Sequence, residues 1–195
     1  SFAKWIGISR IFGVAISRID IVLLNIMHSS FSAGIFAAAS RIIFVFALVV
    51  SSLGSVVAPR FSGFTKRAQT IAYLKKLFTL VSLVSVVMLL VVLLAKPIIL
   101  LVFGAKYLTA IPVFKALTIA LIPFLFSLVT SNPIIYTYGQ PDYFAKVTMV
   151  QVVILVALDI LLIPKLGAMA PAVSIGVSNM VMLVLGGMKL KKLLA

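Results

Sequence analysis

The chain has 195 residues, of which 64% are hydrophobic and only 10% are charged, and its mean hydropathy is +1.32. Soluble domains carry about 25% charged residues, so this chain has too few polar side chains to coat a soluble helical fold. The net charge is +14, but the basic residues lie between or within apolar segments and not on one solvated stripe, which argues against nucleic acid as a partner. With no Cys and a single His, a disulfide framework and a zinc site are excluded, and we expect neither a metal nor a cofactor.

Six apolar segments are long enough to cross a membrane, which needs about 20 residues. In chain order they cover residues 2–28, 33–58, 74–95, 110–138, 143–163 and 168–188. Polar or proline-containing links separate them, and we expect Pro59 to end the second helix and Pro164 to lie in the link after the fifth. Residues 98–103 are too few to span and are expected to lie at the interface or to extend the third helix. The predicted fold is therefore all-α and membrane-embedded.

The basic residues are distributed unequally between the two sides of this predicted bundle. If the N-terminus is cytoplasmic, the inner side collects Lys4, Arg60, Lys66, Arg67, Lys75, Lys76, Lys146, Lys189, Lys191 and Lys192. The outer side collects Lys96, Lys106, Lys115 and Lys165. Because cytoplasmic loops carry the excess of Lys and Arg, both termini are predicted to be cytoplasmic.

Apart from Lys4 at the start of the first helix, four charged residues fall inside the first two predicted helices: Arg10, Arg18 and Asp20 in the first and Arg41 in the second. Each charge near the bilayer centre costs about 2.5–3.5 kcal/mol on insertion scales, so these side chains should face protein or water and not lipid. At about 100° per residue, the three charges of the first helix share one side. In the second helix a narrow face of small and polar residues holds Gly34, Ala37, Ala38, Arg41, Ser52, Ser55 and Pro59.

Two interpretations of these charges stay open from the residues alone. They could line a substrate pathway, or each could pair with another helix and fix the packing; Arg10 could also extend to the membrane interface. In the fourth helix, Asn132-Pro133 could break the regular hydrogen bonding. In the fifth, Asp159 is expected to pair with Lys165 at the interface, and the alternative is that Asp159 binds a proton or an ion. No catalytic motif is present, and with no Glu and three Asp an enzyme is not expected.

Several stretches of the sequence carry the patterns of a known family. Arg18-Ile19-Asp20 followed by the stretch from Ser32 to Arg41 has the pattern R-x-D … (V/A)-G-x-(Y/F)-x-A-A-x-R, and it resembles bacterial polysaccharide flippases, the Wzx-type translocases of the MOP exporter superfamily. The stretches 103–110 (FGAKYLTA) and 159–167 (DILLIPKLG) are similar to its FGxxYxxA and (N/D)-xx-LIP-xx-G segments. One departure is Ala170-Pro171-Ala172, where the family has GAA.

The resemblance implies a MATE-like transporter of two six-helix lobes, of which residues 1–195 would be one lobe, the C-terminal one. Because the chain begins at Ser1 without Met, we expect a fragment whose N-terminal lobe is missing. It further implies alternating-access translocation of an undecaprenyl-pyrophosphate-linked oligosaccharide across the bacterial inner membrane. Arg18 and Arg41, with Arg10, would bind the anionic pyrophosphate, and Asp20 would take part in coupling to a proton or sodium ion.

Two other functions are kept as alternatives. A cation-coupled multidrug antiporter of the same superfamily would need an acidic and aromatic site, which an excess of buried arginine disfavours. A non-transporting scaffold of a polysaccharide synthase complex would use the same charges only to pair helices.

Overall fold

The computed structural model describes residues 19–64 and 67–194, except for the side chains of residues 49–51, and every regular element within that part is helical. We number the α-helices α1 (Ile19–Met27), α2 (Ser30–Ser62), α3 (Arg67–Leu93), α4 (Ala95–Phe103), α5 (Ile111–Asn132), α6 (Pro141–Leu166) and α7 (Ala170–Leu194). Short 3₁₀ segments, Ala105–Ala110 and Gly167–Met169, precede α5 and α7, and a π-helical turn, Pro133–Thr137, follows α5.

Four helical runs in the described part are long and apolar enough to cross a membrane: Ser30–Ser62, Arg67–Leu93, Ala105–Thr137 and Pro141–Leu194. The last run contains two helices, α6 and α7, that pack antiparallel to each other. Evidence for this is the hydrogen bond that Tyr143, near the start of α6, donates to the Leu185 carbonyl near the end of α7 (3.0 Å). The multi-pass, all-helical membrane architecture is thus confirmed. The count of six helices and the two-lobe arrangement stay predictions, since most of segment 2–28 lies outside the described residues.

The helix ends define two ends of the bundle. We call one the histidine end, where the ring of His28 in the α1–α2 turn packs against Gly167 at the end of α6. We call the other the basic end, where the Thr137 hydroxyl donates to the Phe61 carbonyl at 2.9 Å. The basic end carries the described residues Arg60, Arg67, Lys75, Lys76, Lys146, Lys189, Lys191 and Lys192, together with Asp142.

The centre of the fold is α5, which packs on α2, α3 and α7. Close approach to α7 depends on small residues: a methyl group added at Gly176 would lie 3.4 Å from Ala120 Cβ, and one at Gly186 would lie 2.6 Å from Thr130 Oγ1. Small residues are the usual means by which helices approach each other in membranes. A polar bridge also joins three helices, since Gln151 donates to Asn179, and Asn179 donates to the Ala120 carbonyl at 2.9 Å.

The predicted roles of the prolines need correction. Pro59 and Pro164 were expected at or beyond helix ends, but each lies inside its helix, α2 ending at Ser62 and α6 at Leu166. Each proline removes one hydrogen bond and crowds the carbonyl four residues earlier, but the helix continues for only two or three residues beyond it. Residues 98–103 belong to a separate short helix, α4, which ends at Phe103 and is followed by Gly104, whose φ of +80° glycine adopts without strain.

Asn132-Pro133 does interrupt the regular helix, as the sequence suggested, but the interruption is satisfied locally. The turn from Pro133 to Thr137 is π-helical, with the Tyr138 N–H donating to the Pro133 carbonyl at 3.0 Å. The Asn132 side chain donates to the Leu128 carbonyl at 2.8 Å. The polar groups at this interruption therefore connect α5 to the π-helical turn that follows it. Thr137 of that turn also connects it to α2.

Candidate functional site

Two aspartates meet inside the bundle. Asp20 in α1 is 5% exposed and Asp159 in α6 is 0% exposed. The helices pack against each other and the two carboxyl side chains lie within interaction range. Each aspartate lies eight residues before the His28–Gly167 contact, which places both about 12 Å below the histidine end at 1.5 Å rise per residue. The parallel register of α1 and α6 therefore brings the carboxyl groups to the same depth.

The carboxyl oxygens of this pair are poorly satisfied. One oxygen of Asp20 and both oxygens of Asp159 accept no hydrogen bond. Ser174 of α7 lies beside Asp159, but its hydroxyl donates to the Ala170 carbonyl at 3.1 Å and so is used within its own helix. No Lys, Arg or His among residues 19–64 and 67–194 forms an ion pair with either carboxylate.

The two aspartates together can bind a positive charge. Two carboxylates buried together repel each other and lose hydration, so they need a proton or a cation between them. The oxygen atoms of Asp20 and Asp159, with the neighbouring Ser174 hydroxyl, form a set of hard oxygen ligands, which suits a hard cation or a proton. The pair is therefore a candidate binding site for a proton or a hard cation.

The expected pairing of Asp159 with Lys165 was wrong. Asp159 is fully buried and faces Asp20, whereas Lys165 is exposed at the end of α6. Six residues along a helix correspond to about 600°, so the two side chains point to different sides. The sequence carried one signal for the true partner: Asp20 and Asp159 are both acids inside apolar segments, where unpaired charge is costly.

Arg41 occupies a different position. It lies on α2, eleven residues after Ser30 and hence about 16 Å from the histidine end, and its side chain is exposed. It forms no ion pair with any residue of the described part of the chain. The aspartate pair and Arg41 lie at similar depths, but the structure does not bring them into contact.

A shallow groove continues along α2 from Arg41 toward the basic end. It is an open surface depression lined by this one helix, and its lining is almost entirely apolar: Val45, Leu48, Ser52, Leu53 and Val56. Of the small and polar face predicted for this helix, Gly34, Arg41, Ser52, Ser55 and Pro59 are exposed, while Ala38 is buried. A cation thus stands at one end of an apolar groove at membrane depth.

Arg10 and Arg18, the other two predicted cations, lie outside the described residues. Their predicted roles, and those of Arg41 in substrate binding and Asp20 in ion coupling, stay predictions.

Comparison with known proteins gives one match. Residues 1–112, more than half of the chain, match the family model described as polysaccharide biosynthesis protein. This stretch includes α1, α2, α3 and α4 and therefore contains Asp20, Arg41 and the groove. No curated protein and no solved structure matches the chain significantly. The chain is a member of the polysaccharide biosynthesis protein family.

Proposed function

We propose that this chain is one lobe of a flippase that moves undecaprenyl-pyrophosphate-linked oligosaccharide units across the bacterial inner membrane by alternating access. The observation that carries the proposal is the exposed Arg41 at membrane depth, placed at the end of an apolar groove in a chain of a polysaccharide biosynthesis family. The function proposed is transport, not catalysis.

The chemistry of Arg41 supports this choice of substrate. An exposed arginine near mid-depth costs about 2.5–3.5 kcal/mol if it faces lipid, so a watery cavity with an anionic ligand is the more favourable surrounding for Arg41. Guanidinium binds phosphate oxygens through paired charge-assisted hydrogen bonds. The groove beside it is apolar, as contact with a lipid carrier requires. A lipid-linked pyrophosphate combines these two properties in one molecule.

The aspartate pair supports coupling to an ion gradient. Asp20 and Asp159 come from different helices, α1 and α6, so binding or release of a proton or sodium ion changes the cost of holding those helices together. Both helices end at the histidine end, where His28 contacts Gly167. In this proposal the occupied pair stabilises one arrangement of α1 against α6, and the empty pair favours another.

The orientation of the chain in the membrane is proposed from its basic residues, and a second lobe is proposed from the resemblance. The described basic end holds eight Lys and Arg residues, and the histidine end holds Lys96, Lys106, Lys115 and Lys165. This excess favours a cytoplasmic basic end, and thus a cytoplasmic C-terminus. The N-terminus is proposed to be cytoplasmic too, and an N-terminal lobe of the same protein is proposed to complete the cavity.

One observation favours a second candidate, a cation-coupled drug antiporter of the same superfamily. The buried aspartate pair is the kind of site that antiport requires. Arg41 disfavours organic cations as substrates, however, because it repels them at the same depth.

A deletion of the gene in its own bacterium separates the two functions. We expect surface polysaccharide to be lost and to return with the wild-type gene, while susceptibility to cationic drugs stays unchanged. Intact surface polysaccharide together with increased drug susceptibility would instead identify an antiporter.

A further inference from the structure

The outward faces of α6 and α7 form two exposed apolar stripes. On α6 the stripe runs through Met149, Val150, Val153, Ile160 and Leu161; on α7 it runs through Val173, Val177, Met180, Val184 and Met188. Each stripe ends in a lysine at the basic end. On α6 this is Lys146, one turn before Met149, and on α7 it is Lys191, one turn after Met188. From Lys146 to Leu161 the distance is about 22 Å, which exceeds half of a ~30 Å hydrocarbon core.

Between these stripes a third lysine is held at the seam of the two helices. The Tyr143 hydroxyl donates to the Leu185 carbonyl at 3.0 Å and so fixes the tyrosine ring against α7. The Lys189 ammonium lies 5.0 Å from the centre of that ring. Lys146 follows Tyr143 by three residues, so it is on the same side of α6. One ammonium group therefore lies over the Tyr143 ring, and Lys146 stands on the Tyr143 side of α6.

These lysines have no acidic partner in the described part of the chain. Asp142 is the one acidic residue at the described basic end; it stands one turn before Lys146 on the same face of α6, but the structure shows no ion pair between it and Lys146 or Lys189. It lies in the first turn of α6, where a carboxylate is stabilised by the helix dipole. The seam thus offers positive charge beside an apolar surface.

We propose that this seam binds an anionic phospholipid, with Lys146 and Lys189 contacting the headgroup phosphate and the stripes of α6 and α7 contacting the acyl chains. Charge complementarity supports this site: ammonium groups without an ion-pair partner among the described residues stand at the basic end, next to apolar faces of acyl-chain length. The site is separate from the Arg41 groove, which lies on α2, so it does not depend on the proposed substrate.

Lipid retention tests this site. The protein is extracted with mild detergent from vesicles of equal phosphatidylglycerol and phosphatidylcholine, and its bound lipids are measured by native mass spectrometry. We expect phosphatidylglycerol to be enriched in the wild type. Each lysine near an anionic surface contributes about fivefold in affinity, so Lys146→Gln with Lys189→Gln should lower the enrichment roughly 30-fold.

Two matched variants keep the test specific. Lys146→Arg with Lys189→Arg retains the charge and should retain the enrichment, and its folding is checked by thermal melting. Lys106→Gln with Lys165→Gln removes two exposed lysines from the histidine end and should leave the enrichment as in the wild type.

Four results would overturn the proposal. They are unchanged enrichment in the Gln double variant, an equal loss in the histidine-end control, displacement of the lipid by inorganic pyrophosphate, or a polypeptide found covering the seam. Displacement by pyrophosphate would assign the seam to the transported substrate.

Discussion

Arg41→Ala is expected to remove most surface polysaccharide when it replaces the wild-type protein at normal expression. A hydrogen bond to a charged group contributes about 1.5–3 kcal/mol, which corresponds to a loss of roughly 10- to 100-fold in binding of the pyrophosphate. Because Arg41 is exposed and forms no ion pair with a described residue, its removal should not disturb the packing of α2. The amount of surface polysaccharide per cell, normalised to the amount of protein in the membrane, measures the effect.

Two variants control this prediction. Arg41→Lys keeps the positive charge but loses the planar two-point contact, so it should retain part of the activity. Arg60→Ala makes the same substitution on the same helix, at the exposed basic end, and should leave polysaccharide near the wild-type amount. Wild-type polysaccharide in Arg41→Ala would show that this residue does not bind the substrate.

The second large effect is expected at the aspartate pair. Asp20→Asn and Asp159→Asn should each abolish the dependence of transport on an ion gradient, because one carboxylate alone no longer forms the oxygen-rich site. Losing even an outer partner of a metal ligand costs about 10–100-fold in affinity, so loss of a direct ligand should cost at least about tenfold. The measurement is the initial rate of transport with and without an imposed proton or sodium gradient.

The fold should survive these changes, since replacing a buried unpaired charge by a neutral amide of similar shape relieves its desolvation. Asp142→Asn is the matched control, because Asp142 is exposed in the first turn of α6 and lies far from the pair. Gradient dependence that persists in both Asn variants would assign the pair a purely structural role. Equal loss in Asp142→Asn would show an unspecific effect of charge.

The long apolar helices were predictable because length and hydropathy alone identify them. The ends of α2 and α6 were placed wrongly, since each helix continues for two or three residues beyond its proline; the ring removes one hydrogen bond but leaves the following residues free to stay helical. The π-helical turn after Asn132 was foreseen only as an interruption. The sequence does not show which carbonyls are hydrogen-bonded at this turn. In the structure the Asn132 side chain donates to one within α5, and Thr137 donates to one in α2.

The partner of Asp20 could not be found from one helix at a time. Asp159 stands 139 positions further along the chain, and only the parallel packing of α1 on α6 brings the two residues together. Local spacing favoured Lys165 because it is close in sequence. The exposure of Arg41, by contrast, was consistent with the face predicted for its helix, although Ala38 on that face is buried.

Reconstituted transport tests the central claim most directly. The full-length protein, with the proposed N-terminal lobe included, is placed in proteoliposomes with an undecaprenyl-pyrophosphate-linked oligosaccharide, and the fraction of oligosaccharide on each side of the membrane is followed with an impermeant glycosidase. We predict movement that depends on the protein, that an ion gradient accelerates, and that Arg41→Ala slows by roughly 10- to 100-fold. An oligosaccharide that stays on its original side, in vesicles where the protein is folded and correctly inserted, would contradict the proposed function.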